Sequence, residues 1–232
     1  MVRTATFHAV GRNNQEVSYT YIQPGQTRSR AICFFCPGSS YLFDKPYLHY
    51  STMLMLSHQA DIVHIHYAYG KDNIAFGDLS MEERSQWMQP DVHAVVTKVL
   101  AEQPYEQIFF LGKSIGTMPI IDGLLQNPEF SAATAILLTP ILTSEQVAAN
   151  LLKSNHPVYL VIGSTDHFYQ EPLLEKLRET KPNVHLHIVP GANHSLEVGW
   201  DLKASLTVFE EVMTALDDFV TKQLRMGITR SG

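Results

Sequence analysis

Two cysteines are all that the 232 residues contain, Cys33 and Cys36, three apart inside the apolar run "AICFFCPG". A strand sends residues three apart to opposite faces. The pair therefore suits neither a disulfide nor a zinc site and reads as two buried free thiols. Clustered positive charge is missing as well. With 17 Lys and Arg against 23 Asp and Glu the net charge is −6, and no basic run occurs anywhere. Nothing attracts a phosphate backbone, which excludes nucleic acid as a partner. No stretch of about 18 uncharged apolar residues is present, and the opening "MVRTATFHAVGRNNQEV" lacks the apolar core of a signal peptide. A cytoplasmic protein that does not enter a membrane is the expectation. Repeats, low-complexity tracts and linkers are absent too. One domain over residues 1–232 is expected, ending in a frayed tail at "MGITRSG".

What the chain does have is material for a core, 45% of its residues being hydrophobic and only 17% charged. Apolar, β-branched or aromatic runs predict eight strands, at "TATFHAV", "EVSYTYIQ", "RAICFFC", "DIVHIHYAY", "QIFFLG", "TAILLTP", "PVYLVIG" and "VHLHIVP". Between the later ones lie the helical patterns "DKPYLHYSTMLMLSHQ", "MEERSQWMQPDVHAVVTKVLAEQ", "IGTMPIIDGLLQNP", "SEQVAANLLKS" and "EPLLEKLRETK". A last helix from about Trp200 carries an apolar stripe through Leu202, Leu206, Phe209, Met213, Leu216 and Val220. Parallel strands need crossover connections, and continuous apolar strands imply a sheet covered on both faces, so the alternation predicts an α/β fold with a mostly parallel sheet. The first two strands, joined by "GRNNQ", read as an antiparallel hairpin at one edge.

The stretch "FFLGKSIGTMPII", residues 109–121, holds a Gly-Lys-Ser that invites a phosphate reading. A Walker A loop requires a glycine where Gln107 stands, within a segment that reads as strand, and no Gly-x-Gly-x-x-Gly occurs. Neither a nucleotide nor any other cofactor is expected. Gly112-Lys113-Ser114-Ile115-Gly116 instead fits the Gly-x-Ser-x-Gly elbow, a strained turn from strand to helix that small neighbours make possible. Read alone, Ser114 also suits the N-cap of a helix, and Pro119 falls just past that helix's free N–H groups. A serine nucleophile needs a base and a group to orient the base. "STDHF" puts Asp166 after the seventh strand and "GANHSLE" puts His194 after the eighth, the chain order the elbow calls for. Taken singly, Asp166 also suits an Asx turn and His194 a solvated loop.

Through "GKSIG", "GSTDHF", "GANHS" and the "CPGSSY" loop after the third strand, the chain resembles the α/β-hydrolase superfamily over nearly its full length. The resemblance implies that Ser114 is the nucleophile, His194 the general base and then acid, and Asp166 the orienting carboxylate, with Glu145 as the alternative acid. It gives one oxyanion donor to the backbone N–H of Ile115. The other falls to Ser39 or Ser40, in a loop where Pro37 stands at the place of the family's frequent histidine. Only about 17 residues separate Pro140 from Pro157, a crossover of ordinary length, so no large cap is expected. That is the manner of the compact, dienelactone-hydrolase-like branch, here with serine in place of its usual cysteine. "GKDNIAFGDLS" is expected to be an unstructured connection able to act as a small flap.

Tyr41, Phe43, Tyr69, Phe76, Met118, Phe168 and Leu196 fall in or near the loops at the strands' C-terminal ends, and Tyr41, Phe43, Met118 and Phe168 are taken as substrate-lining. Eleven histidines include His64-x-His66 and His185-x-His187. The family's strand order would separate these pairs by about five strand positions, roughly 24 Å, and no metal site is expected. His167 lies too near Asp166 in the chain to serve as its base. The expected activity is hydrolysis of small or medium carboxylic esters through an acyl-enzyme, on a small-molecule ester or acyl substrate. An acyltransferase or thioesterase on the same fold, or a non-catalytic binding module, are the alternatives. The oligomeric state is left open.

Overall fold

The computed structural model describes residues 2–25, 29–67, 69 and 73–230, with side chains to residue 227. Its strands are β1 (Arg3–Val10), β2 (Glu16–Gln23), β3 (Ala31–Cys36), β4 (Asp61–His66), β5 (Gln107–Lys113), β6 (Thr134–Leu138), β7 (Val158–Gly163) and β8 (Val184–Val189). They form one sheet in the order β1-β2-β4-β3-β5-β6-β7-β8. β1 and β2 make the expected antiparallel hairpin, in register from Arg3↔Gln23 to Val10↔Glu16. Its turn holds Asn13 and Asn14 at φ of 53° and 59°, a conformation that asparagine tolerates better than most residues. β2 joins β4 antiparallel, and every later pairing is parallel.

The helices are α1 (Pro46–Ser57), α2 (Ile74–Gly77), α3 (Met81–Glu102), α4 (Thr117–Asp122), α5 (Glu145–Lys153), α6 (Glu171–Thr180) and α7 (Leu202–Arg230). Val92, Val95 and Val96 of α3, Ile120 and Ile121 of α4, Leu151 of α5 and Leu177 of α6 pack on one face of the sheet. Leu48 and Met55 of α1 with Val212, Leu216 and Val220 of α7 cover the other. Side chains alternate between these layers along each inner strand. Cys36 accordingly joins the first core and Cys33 the second, and both are free. Among the described residues, no helix is long and apolar enough to cross a membrane.

Four elements differ from the sequence-based expectation. The stretch after Ser114 is not one helix: a 3-10 turn at Ser114–Gly116 leads into the six-residue α4, and further 3-10 turns follow at Leu124–Gln126 and Pro128–Phe130. Pro119 offers no N–H to the ladder and Gly123 follows it within one turn, so a long helix has no continuous hydrogen bonding. The connection after β4 contains α2, N-capped by the Asn73 side chain, and residues 70–72 of the expected flap lie outside the described residues. The predicted tail is helical through Arg230. On α7 the expected stripe holds in its later part, Leu216 and Val220 being buried with Val208, Val212 and Phe219 and with Phe209 and Met213 packed against them, while Leu202 and Leu206 are exposed. The spacing alone does not show that the first turn of the helix stands clear of the sheet.

Candidate active site

The C-terminal ends of β3, β5, β7 and β8 share one edge of the sheet because those strands are parallel, and the chain turns in opposite directions from β3 and β5. Ligands of open α/β sheets bind at such an edge, by the switch in strand order. Ser114 stands there immediately after β5, at φ +55°. For a non-glycine residue this costs about 1–3 kcal/mol and persists only where the surroundings enforce it. Enforcement comes from close backbone packing. A Cβ on Gly112 would lie 2.6 Å from the Gly116 carbonyl oxygen, and one on Gly116 would lie 2.1 Å from that of Cys36. The Thr117 hydroxyl donates to the Ser114 carbonyl at 2.7 Å and ties off the turn.

Asp166 and His194 reach this serine from two later loops. His194 Nε2 lies 2.8 Å from Ser114 Oγ, and His194 Nδ1 lies 2.8 Å from Asp166 Oδ2. The tautomer with its proton on Nδ1 satisfies both contacts, donating to the carboxylate and accepting from the hydroxyl. The Asp166 side chain is fully buried, and its Oδ1 also accepts from the Phe168 N–H at 3.0 Å. The two loops hold each other: Thr165 N–H and Oγ1 both donate to the Ala192 carbonyl, at 3.0 and 2.8 Å, and Gly191 N–H donates to Ser164 Oγ at 2.8 Å. Asn193 Oδ1 accepts from the N–H groups of Ser195 and Glu197 at 2.8 and 3.1 Å, fixing the turn that carries the imidazole. Glu145, the alternative acid, opens α5 instead.

Beside Ser114 lies a tight turn from the end of β3. Gly38 N–H donates to the Tyr41 carbonyl at 3.1 Å, which leaves Ser39 and Ser40 exposed at the tip. A Cβ on Gly38 would sit 3.5 Å from the Cβ of Ser114, so the turn rests against the elbow itself. The Tyr67 hydroxyl donates to the Pro37 carbonyl at 2.6 Å, and Tyr47 N–H donates to the Tyr41 hydroxyl at 3.0 Å. Ile115 is buried in the first turn after Ser114, where a helical N–H has no carbonyl partner within its own helix.

Sequence reasoning missed Tyr67 and Lys113. Lys113 is 1% exposed. Its Nζ donates to the His194 carbonyl at 2.8 Å and to Thr139 Oγ1, and lies 5.0 Å from the centre of the Tyr41 ring. Burial pushes its pKa down to about 8, against a smaller upward pull from Asp166. A charged residue inside "FFLGKSIG" was the available signal for it. Nothing in the sequence singled out Tyr67 among the aromatics near β4.

The expected lining residues divide. Phe168 packs edge-on to the His194 ring, 5.2 Å between centroids, and Tyr41 faces Lys113, so both border the site. Phe43 instead stacks on His64 at 3.9 Å. Met118 is corrected, being fully buried in the core where a substrate cannot touch it. It sits in the first turn of α4, which faces the sheet. Tyr69 and Phe76 are buried against that same core. The histidine pairs lie on β4 and β8, five positions apart in the sheet. Among the described residues, one group of three potential ligands has its donor atoms within 4.8 Å of one another, Asp166, His167 and His194. There the carboxylate and imidazole already bond each other, so a cation would compete with the serine's partners.

Residues 30–221 match a family model for an alpha/beta hydrolase domain. No curated protein matches the chain. The Pyrococcus furiosus esterase Pf2001 superposes with a TM-score of 0.72 at 16% identity, covering 95% of this chain and 92% of that one. XC6422 from Xanthomonas campestris, an α/β serine hydrolase without lid, gives 0.68 at 14% identity over 95% and 94%. An α/β serine hydrolase homologue from Coxiella burnetii gives 0.68 at 16% identity over 91% and 97%. At such identities the likeness is one of fold.

Proposed function

The chain belongs to the alpha/beta hydrolase domain family, and from that membership we propose that it is a serine hydrolase acting on small or medium carboxylic esters through an acyl-enzyme. The observation that carries this reading is the unbroken run of hydrogen bonds from Ser114 Oγ through His194 to Asp166, 2.8 Å at each step. Ser114 Oγ attacks the ester carbonyl while His194 Nε2 takes its proton, and the imidazolium returns that proton to the departing alcohol. Water then repeats the sequence on the acyl-serine, releasing the acid and restoring the hydroxyl. Asp166 keeps the imidazole turned toward the serine and stabilises it when charged.

In this reading the oxyanion is held by the N–H of Ile115 and by one from the tip of the Gly38–Tyr41 turn, at Ser39 or Ser40. A donor of this kind is worth about 10²- to 10³-fold in rate. The short crossover from β6 through α5 to β7 carries no cap, and the Xanthomonas relative is likewise lidless. An open site of this kind supports a small or medium ester of accommodating shape. No cofactor enters the proposed reaction. Ser114→Ala tests it: turnover of a p-nitrophenyl ester should fall by about a thousandfold or more with the circular dichroism spectrum unchanged. Retained turnover in the folded variant refutes the assignment.

A further inference from the structure

Among the described residues, Lys113 is the one lysine whose ammonium is buried, and it lies beside the Ser114–His194–Asp166 line. A buried charge is costly unless its hydrogens are engaged, so its surroundings indicate what the cost supports. One N–H bonds the carbonyl of His194 at 2.8 Å, a second bonds the hydroxyl of Thr139, and the Tyr41 ring lies 5.0 Å away. The acceptor in the first contact belongs to the peptide of the histidine that touches Ser114. The lysine itself directly precedes Ser114 in the chain.

We propose that Lys113 is a positioning residue, whose ammonium fastens the backbone of His194 to the strand that carries Ser114 and so sets the distance between hydroxyl and imidazole. This deepens the serine-hydrolase reading and rests on it. The serine projects from β5, while the histidine arrives on a loop 81 residues beyond the lysine. Displacing a reacting group by about 1 Å can cost about 10²-fold. A charged donor grips a carbonyl more firmly than a neutral one. It also carries three hydrogens, which match the carbonyl, the hydroxyl and the ring face.

Loss of the proton leaves two hydrogens and no charge, which loosens the tie. Because burial brings the pKa to about 8, the tie weakens within a range where an ester assay can be run. The groups facing the ammonium are Tyr41 from the loop after β3, Thr139 after β6, Asp166 after β7 and His194 after β8. Burial pushes the Tyr41 phenol up to about 12. It therefore stays neutral while Lys113 titrates, and an alkaline fall near pH 8 is assigned to the lysine.

The test is the pH profile of kcat and KM for p-nitrophenyl ester hydrolysis, with spontaneous hydrolysis subtracted, in wild type, Lys113→Met, Lys113→Arg and Thr139→Val. Wild type should lose activity as pH rises through about 8. Lys113→Met should lower kcat on the order of tenfold with KM within about twofold, and lose the alkaline fall. Lys113→Arg, which keeps its charge at every accessible pH, should recover part of kcat and also lack the fall. Thr139→Val removes one acceptor at equal volume and should move the fall to lower pH, which decides the matter if Lys113→Met does not fold. A Lys113→Met enzyme with wild-type kcat, or alkaline limbs that do not move in Lys113→Met and Thr139→Val, overturns the proposal. Fluorophosphonate labelling of Ser114 in the same samples separates the two claims. An unlabelled wild type defeats the hydrolase reading, whereas labelled proteins with unmoved profiles defeat only the role of Lys113.

Discussion

Ser114 at φ +55° and the 1% exposed Lys113 beside it are two consecutive residues held in unfavourable states. Their neighbours compensate, glycine clearance for the first and hydrogen bonds for the second. Thr139 and Leu196, which also have positive φ, at 46° and 62°, stand in the loops after β6 and β8 that touch this pair's surroundings. Strain of this kind concentrates at functional sites. A different residue couples stability to acid. His64 is 8% exposed, receives the stacked ring of Phe43, and lies 2.9 Å from Thr52 Oγ1. Burial pushes its pKa down to about 3. The unfolded chain takes up that proton near pH 6.5, so between pH 6.5 and 3 the unfolded state binds a proton that the native state refuses, and stability falls as pH falls. His66, His156, His185 and His187 are shifted the same way by burial. His64→Phe keeps a ring against Phe43, and Thr52 still donates to the Leu48 carbonyl at 2.8 Å. From pH 7 to pH 5 wild type should therefore lose about 2 kcal/mol more than this variant, read from urea midpoints. Equal losses would contradict the assignment.

Among the loops and helices, the turn after β3 is anchored by a side chain from beyond the next strand. Its Pro37 carbonyl is held by the Tyr67 hydroxyl at 2.6 Å, across 30 residues of chain. In the proposed mechanism this turn aims an oxyanion donor, so Tyr67→Phe should lower kcat by about three- to tenfold with little change in KM, measured on a p-nitrophenyl ester. Unaltered kcat would show that the turn needs no such anchor. Strands were legible in the sequence because inner strands buried on both faces leave unbroken apolar runs, and the hairpin because "GRNNQ" supplies residues suited to positive φ. The elbow was legible because its two glycines answer a local steric demand. The broken helix behind it was less so, since Pro119 alone does not indicate where hydrogen bonding resumes. Tyr67 and Lys113 were hidden for another reason. Their acceptors, Pro37 and His194, are fixed by strand order and loop path, and no periodicity in one segment encodes either.

Seen whole, the sheet gives its two ends different tasks. At the N-terminal end of β4 the buried Asp61 carboxylate accepts from Ser29 Oγ at 2.5 Å and from the hydroxyls of Tyr105 and Tyr21 at 2.7 and 2.5 Å, and these donors satisfy it in place. At the C-terminal ends, the buried Asp166 carboxylate faces an imidazole instead, and the imidazole faces a hydroxyl. Four loops, after β3, β5, β7 and β8, converge there because parallel strands deliver their ends to one edge. The α/β class followed from alternation in the sequence, and the order of the three motifs anticipated which loops would meet. The distances between the side chains needed coordinates. The central claim is that this convergence makes Ser114 a nucleophile. The most direct measurement is intact and peptide mass spectrometry after exposure of the native protein to a fluorophosphonate. The account predicts one phosphonyl adduct, located on Ser114, formed by the native protein and lost on heat unfolding or in His194→Ala. A native protein that stays unmodified, or that carries its adduct on another residue, would contradict it.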